Sequence, residues 1–143
     1  MNKKLALTVL IVLATLTLAA CAPRTTSKPL PSEEGEAYAA EVDEIVENMI
    51  VGVSENDYAK YTRDMDEDFL ENFESSIREV ADEISSTFGA YQSKTLDHVE
   101  DRGRRTRVVI YHLVFENEPN VTLEVYFNVS DSHTIIGTNW DSE

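Results

Sequence analysis

The sequence predicts a single α+β domain, with helices first and an antiparallel sheet after them. Three observations carry that expectation. Apolar residues in the first half recur at intervals of three and four, those in the second half alternate at two, and the later connections are too short to hold crossover helices. The chain has 143 residues, 42% of them apolar, which is room and material for one ordinary hydrophobic core.

Val42, Ile45, Val46, Met49 and Val53 form one helical stripe, and Tyr58, Tyr61 and Met65 repeat the pattern. Phe69, Phe73, Ile77, Val80, Ala81, Ile84 and Phe88 form a third stripe. Ser54, followed three residues later by Asp57, reads as an N-cap, so a break near 52–54 separates a long first helix from a short second one. Asp66 is the expected cap of the third helix and Gly89 its stop. Strands are expected near 91–100, 105–116, 121–129 and 133–140, bounded by turn signals at Gly103, Pro119 and Ser130. Val121, Leu123, Val125, Phe127 and Val129 alternate with polar residues, whereas the strand from Arg105 to Phe115 is apolar on both faces and reads as buried on both. The helices are expected to cover one face of a curved antiparallel sheet of about four strands.

The N-terminus reads as an address. Lys3 and Lys4 precede an uncharged run over 5–20, too short at about 1.5 Å per residue to cross a hydrocarbon core of about 30 Å. It ends in Leu18-Ala19-Ala20-Cys21, which resembles the lipobox of prokaryotic lipoproteins, where the cysteine thiol receives a diacylglycerol and the leader is cut away. The alternative is a plain secretory signal with an incidental cysteine. On the lipoprotein reading, 1–20 is the signal peptide, 21–31 the lipidated Cys21 with a flexible, extended, proline-bearing linker, and 32–143 the domain. The protein would then be anchored to the cell membrane by acyl chains, facing away from the cytoplasm.

The formal charge is −15, and −17 once Lys3 and Lys4 are removed. An excess of that sign repels phosphate backbones, so no nucleic-acid partner is expected. One cysteine excludes an internal disulfide framework and a cysteine-rich zinc site. Acidity is uneven: residues 32–89 hold 18 acidic and 3 basic side chains, and 90–143 hold 9 and 5. Arg102, Arg104, Arg105 and Arg107 are the sole basic concentration. They either meet lipid headgroups or an acidic partner, or they pair with the domain's own acids and keep a hairpin soluble.

Asp64, Asp66 and Asp68 have the spacing that opens a calcium loop, but Phe69 stands where the turn needs glycine and Ser75 where it needs glutamate. They read instead as acids favoured by a helix N-terminus, with a weak divalent-ion site as the minor alternative. His98, His112 and His133 show no ligand spacing, so a metal would have to be assembled across the sheet with Asp97 or Glu124, and no metal site or cofactor is expected.

The order of elements, the stretch Gly52-Val53-Ser54-Glu55-Asn56-Asp57-Tyr58-Ala59-Lys60-Tyr61 and the later Phe88-Gly89-Ala90-Tyr91 resemble the cone-shaped nuclear transport factor 2-like superfamily, over about 38–140. The nearest subset is the small domain attached to prokaryotic lipoproteins. The resemblance implies a helix-covered cone that hosts isomerases, hydrolases and dehydratases, as well as non-catalytic binding and dimerising domains. In its enzymes a carboxylate or histidine base lies inside the cone with a tyrosine or a second acid as partner, which here nominates Asp97, His112, Glu124 and Tyr126. The reading favoured is a non-catalytic binding or interaction module at the cell envelope; the alternative is a cofactor-independent isomerase, hydrolase or dehydratase using the cone. The second apolar face of the Arg105–Phe115 strand calls for a cover, either a twin subunit through the sheet face or a pocket for a small apolar ligand or another envelope protein.

Overall fold

The computed structural model describes residues 27–130 and 133–142. Three helices, α1 (Ser32–Ser54), α2 (Tyr58–Thr62) and α3 (Glu67–Thr87), precede the main strands β2 (Tyr91–Asp101), β3 (Thr106–Phe115), β4 (Val121–Asn128) and β5 (Thr134–Ser142). A short β1 (Lys28–Pro29) comes first in the chain, and the five-stranded sheet is an antiparallel meander in the order β1-β2-β3-β4-β5.

β1 is the element that composition did not foretell. Lys28 pairs with Asp101 and Pro29 with Glu100, and the Leu30 N–H donates to the Val99 carbonyl at 2.8 Å. The end of the proline-bearing linker is therefore bonded to a sheet edge. An edge strand accommodates Pro29 because its missing N–H lies outside the ladder.

α1 buries Val42, Val46, Met49 and Val53 of the stripe expected from the three-and-four spacing, together with Tyr38 and Ile50, while Ile45 is only partly buried. It ends against α2 through Gly52, whose bare Cα lets the helices touch: a Cβ there would lie 2.5 Å from the Tyr61 nitrogen. The expected Ser54 cap is corrected. Asp57 caps α2 by accepting from the Lys60 N–H at 3.1 Å, while Ser54, inside the last turn of α1, uses its Oγ to accept the Tyr91 N–H at 2.8 Å. Ser54 thus ties the end of α1 to the start of β2.

Asp66 caps α3 as expected, accepting from the Phe69 N–H at 3.1 Å, and Gly89 closes the following turn at φ 77°. α3 lies against α1 and α2 more than against the sheet, and Phe73, expected on its buried stripe, is 53% exposed. It packs only obliquely on Phe69, with centroids 5.4 Å apart.

The helix-facing side of the sheet presents Val99, Val109, Tyr111, Leu113, Phe115, Leu123, Val125, Phe127 and Ile135 to α1, all within one core. β2 breaks its alternation twice, between Tyr91 and Ser93 and between Leu96 and His98. Each irregularity resets which side chains face the helices.

Candidate functional site

The register places one connected group of polar side chains on the sheet face turned away from the helices. Glu100, Val108 and Tyr126 lie side by side across β2, β3 and β4, and His98, Ile110 and Glu124 form the next row. Thr95, His112 and Thr122 form the row after that. The strands thus supply a carpet of Val108 and Ile110 flanked on both sides by groups able to hydrogen-bond.

Those groups engage one another. Arg102 donates from Nε to Glu100 at 2.9 Å and from Nη1 to the Tyr126 hydroxyl at 3.3 Å, and its guanidinium sits 5.3 Å from the centre of the Tyr126 ring. Because Glu100 and Tyr126 flank Val108, this bridge passes over Val108. The Tyr126 hydroxyl donates to Glu124 at 2.5 Å. His98 lies between two carboxylates, with Nδ1 3.0 Å from Asp97 and Nε2 3.1 Å from Glu100, and His112 is 3.8 Å from Asp97. Ser27, at the end of the linker, donates to Glu100 at 2.5 Å.

The protonation states follow from these partners. The Ser27 hydroxyl, then His98 and Arg102, outweigh burial and push the Glu100 carboxyl down to about 2. Burial would lower the His98 imidazole, but its hydrogen bonds to Glu100 and Asp97 raise it on balance. Burial, followed by the Glu124 carboxylate, raises the Tyr126 phenol and keeps it neutral. Arg102 stays charged, its pKa raised because its bond to Glu100 outweighs desolvation. The result is a lattice of alternating charges whose members satisfy each other.

Asp97, His112, Glu124 and Tyr126 therefore fall on one face, but on the face turned away from the helices and not between helices and sheet, where the resemblance would put a base. Among the described residues no charged side chain is buried in the core, whose buried polar atoms include the Tyr58 and Tyr111 hydroxyls and Trp140 Nε1, and Val42, Val46, Ile50, Leu123, Val125 and Phe127 fill the space between α1 and the sheet at 0% exposure. Sequence reasoning left out Glu100, the member with the most partners, and did not join His98 and Arg102 to the four. The signal was period-two alternation on β2, which the two irregularities scrambled. Cys21 lies outside the described residues.

Of the apolar residues on this face of β3, which called for a twin subunit or a ligand, Val108 is 0% exposed and Ile110 5%, hidden by the polar side chains flanking them, while Val114 is half-buried. Two half-open pockets lie beside the lattice. One, of about 350 Å³, is set between Leu30 and Gly35 on one side and Leu96, Asp97, His98 and Val99 on the other. The second, of about 280 Å³, runs from Thr95 and His112 to the β3–β4 turn at Pro119 and Asn120.

On the helix side, Lys94 occupies a position that alternation would give to an apolar residue. It reaches Asp43 at 3.2 Å and also Glu47, and Glu47 accepts from the Tyr91 hydroxyl at 3.2 Å. This cluster fastens α1 to the free stretch of β2. The Tyr111 hydroxyl beside it is buried without a hydrogen-bond partner, and burial raises its pKa above the ordinary tyrosine range.

Of the four arginines, Arg102 and Arg107 pair with the domain's own acids. Arg107 donates to Glu34 at 3.0 Å and lies 4.7 Å from the centre of the Tyr38 ring. Arg104 and Arg105 are exposed at the β2–β3 turn. Among the described residues, no helix is long and apolar enough to cross a membrane, and no three His, Cys, Asp or Glu side chains are grouped to hold a metal ion. No family model, curated protein or solved structure matches this chain significantly.

Proposed function

We propose that this chain is an exported lipoprotein, held to a membrane through acylated Cys21, whose domain serves as a non-catalytic binding or interaction module at the cell envelope. The address is supported by Lys3, Lys4 and the uncharged run that stops at Leu18-Ala19-Ala20-Cys21. Two or three acyl chains at about 0.8 kcal/mol per buried methylene suffice for a stable anchor.

The observation that carries the non-catalytic half of the reading is the filled interior. An enzyme of the cone type needs a base within hydrogen-bonding reach of a substrate in an enclosed space. Here the space between α1 and the sheet is filled by Val42, Val46, Ile50, Leu123, Val125 and Phe127, and every nominated acid, base and tyrosine lies on the open face, engaged with a neighbour. The three-helix order and the antiparallel meander support membership of the nuclear transport factor 2-like superfamily, and the irregularities in β2 and β4–β5 support a curved sheet. The open face and its two flanking pockets are the surfaces offered to a small ligand or an envelope protein.

The test is mass spectrometry of the native product, joined to membrane fractionation of the wild type and of Cys21→Ala. The expected product begins at Cys21 with a diacylglyceryl thioether, and Cys21→Ala leaves the membrane fraction. A native product with an intact Met1 and a free thiol overturns the anchor.

A further inference from the structure

We infer that the β2–β3 turn is a membrane-facing foot: Arg104 and Arg105, with Lys28 beside them, rest on the anionic headgroups of the bilayer that holds Cys21 and so set the domain upright on it. The inference rests on the anchor proposed above. It adds an orientation and a lipid chemistry, neither of which a tether alone provides.

The path of the chain is the first argument. β1 runs antiparallel to β2, with Pro29 opposite Glu100 and Lys28 opposite Asp101, so the chain traced back from Lys28 runs past Asp101 toward the β2–β3 turn. Ser27 is still held there, through its bond to Glu100. Cys21 is six residues further back, a separation of at most about 22 Å at 3.3–3.6 Å per residue. The anchor therefore pulls on one end of the sheet, the end that carries Arg102–Arg105.

Charge is the second argument. Arg104 and Arg105 are exposed and make no ion pair among the described residues, and Lys28 is likewise exposed and unpaired among them. At the same end Arg102 pairs with Glu100 and Arg107 with Glu34, and Asp101 accepts from the Gly103 N–H at 2.7 Å, while Glu33 in the first turn of α1 and Asp64, Asp66, Glu67 and Asp68 around the start of α3 border the β1 and β5 sides of that end. The opposite end of the sheet carries Glu116, Glu118 and Asp141. With a net charge of −15 the body as a whole is repelled by an anionic surface, so the β2–β3 turn, with the exposed Arg104 and Arg105 at its tip, is the part whose charge favours approach within a Debye length, about 8 Å at physiological salt.

The turn is also built to hold its arginines in place. Gly103, Arg104 and Arg105 are successive left-handed residues, at φ 70°, 51° and 66°. Arginine is disfavoured at such positions, where glycine or asparagine is the easier choice. The backbone is locked by Arg102 N–H to Thr106 O at 3.0 Å, Thr106 N–H to Gly103 O at 2.9 Å and Val129 N–H to Arg105 O at 2.9 Å. The side chains therefore stand on a fixed platform at the tip of the sheet.

The experiment uses the full lipidated chain in vesicles of phosphatidylcholine, with or without phosphatidylglycerol. A fluorophore is placed at Ser130→Cys, beside the turn, or at Glu116→Cys, about 30 Å away at the other end of β3. Energy transfer to headgroup-labelled lipid is expected to favour position 130, and the 130:116 ratio to rise at least about twofold from neutral to anionic vesicles and to fall again with added salt. The exposed double changes R104E/R105E and R104Q/R105Q should abolish the rise without detaching the protein. A ratio indifferent to phosphatidylglycerol, or to both variants, overturns the inference, including the case where the variants instead weaken binding of an acidic protein. If mass spectrometry finds no lipid on Cys21, the anchor reading fails by itself. The foot then stands only if the unlipidated full chain still floats with anionic vesicles and loses that on R104E/R105E; absence of flotation overturns it as well.

Discussion

Two glycines in α1 should respond to the same substitution with opposite signs. A Cβ on Gly52 would lie 2.5 Å from the Tyr61 nitrogen and 2.9 Å from both the Lys60 carbonyl carbon and the Tyr61 Cα, all backbone atoms. Ordinary contact needs about 3.5–4.0 Å, so α2 would have to withdraw by about 1 Å. It is poorly placed to do so, because the Asp57 N–H donates to the Gly52 carbonyl at 2.8 Å and Tyr61 is 1% exposed in the core. Because the atoms in the way are backbone and cannot swing aside, the overpacking cost falls at the upper end of its usual range, about 3 kcal/mol, and with about 1 kcal/mol gained in helix propensity Gly52→Ala should lose about 2 kcal/mol net. At Gly35 the added methyl would meet Val99 at 3.5 Å and Leu30 at 3.9 Å, ordinary packing distances, so Gly35→Ala should gain about 0.5–1 kcal/mol. Urea unfolding of the two variants should therefore give midpoints on either side of the wild type, separated by about 3 kcal/mol at unchanged slope. A neutral Gly52→Ala, or a destabilised Gly35→Ala, would refute the close α1–α2 contact or the open α1–β2 contact.

Glu100, held at about 2, contributes stability that is complete above about pH 4.5 and fades as pH falls toward 2. Glu100→Gln should lose on the order of 2 kcal/mol at neutral pH and flatten the acid limb of a stability profile between pH 5 and 2, measured by urea unfolding at each pH. Ser54→Ala leaves the half-buried Tyr91 N–H without its acceptor, which should cost about 1–3 kcal/mol and speed hydrogen exchange at Tyr91 ahead of the rest of β2. Asp66→Ala removes the cap of α3 and should cost about 1 kcal/mol by thermal unfolding, a shift of roughly 4 °C.

The parts of the fold legible in the sequence are those written in a long, regular pattern. The α1 stripe from Val42 to Val53, the Asp66 cap, the Gly89 stop and the alternation of β4 each repeat one signal several times. β1 was not legible because two residues carry no period, and its pairing depends on Val99–Asp101 lying open beside it. Ser54 and Asp57 looked like one N-terminus, whereas the hydroxyl found a better donor in Tyr91, 37 positions away. The candidate site was half legible: alternation on β4 put Glu124 and Tyr126 on one face, but the shift between Leu96 and His98 decides which β2 residues join them, and no local pattern announces it.

β3 shows why apolar content on two faces does not by itself demand a second subunit. Val109, Tyr111, Leu113 and Phe115 are covered by helices, as expected of a core face. Val108 and Ile110, on the other face, are covered sideways, because each is flanked on both neighbouring strands by a long side chain with a polar tip. Arg102, Tyr126 and Glu124 bring broad apolar stems or rings along with their polar ends, and the bonds among those ends hold the stems flat over the strand. Such a cover works only while the tips bond to each other, so the Glu100–Arg102–Tyr126–Glu124 chain can conceal apolar surface without any chemistry being asked of it. That role by itself accounts for close, mutually satisfied polar groups on an open face.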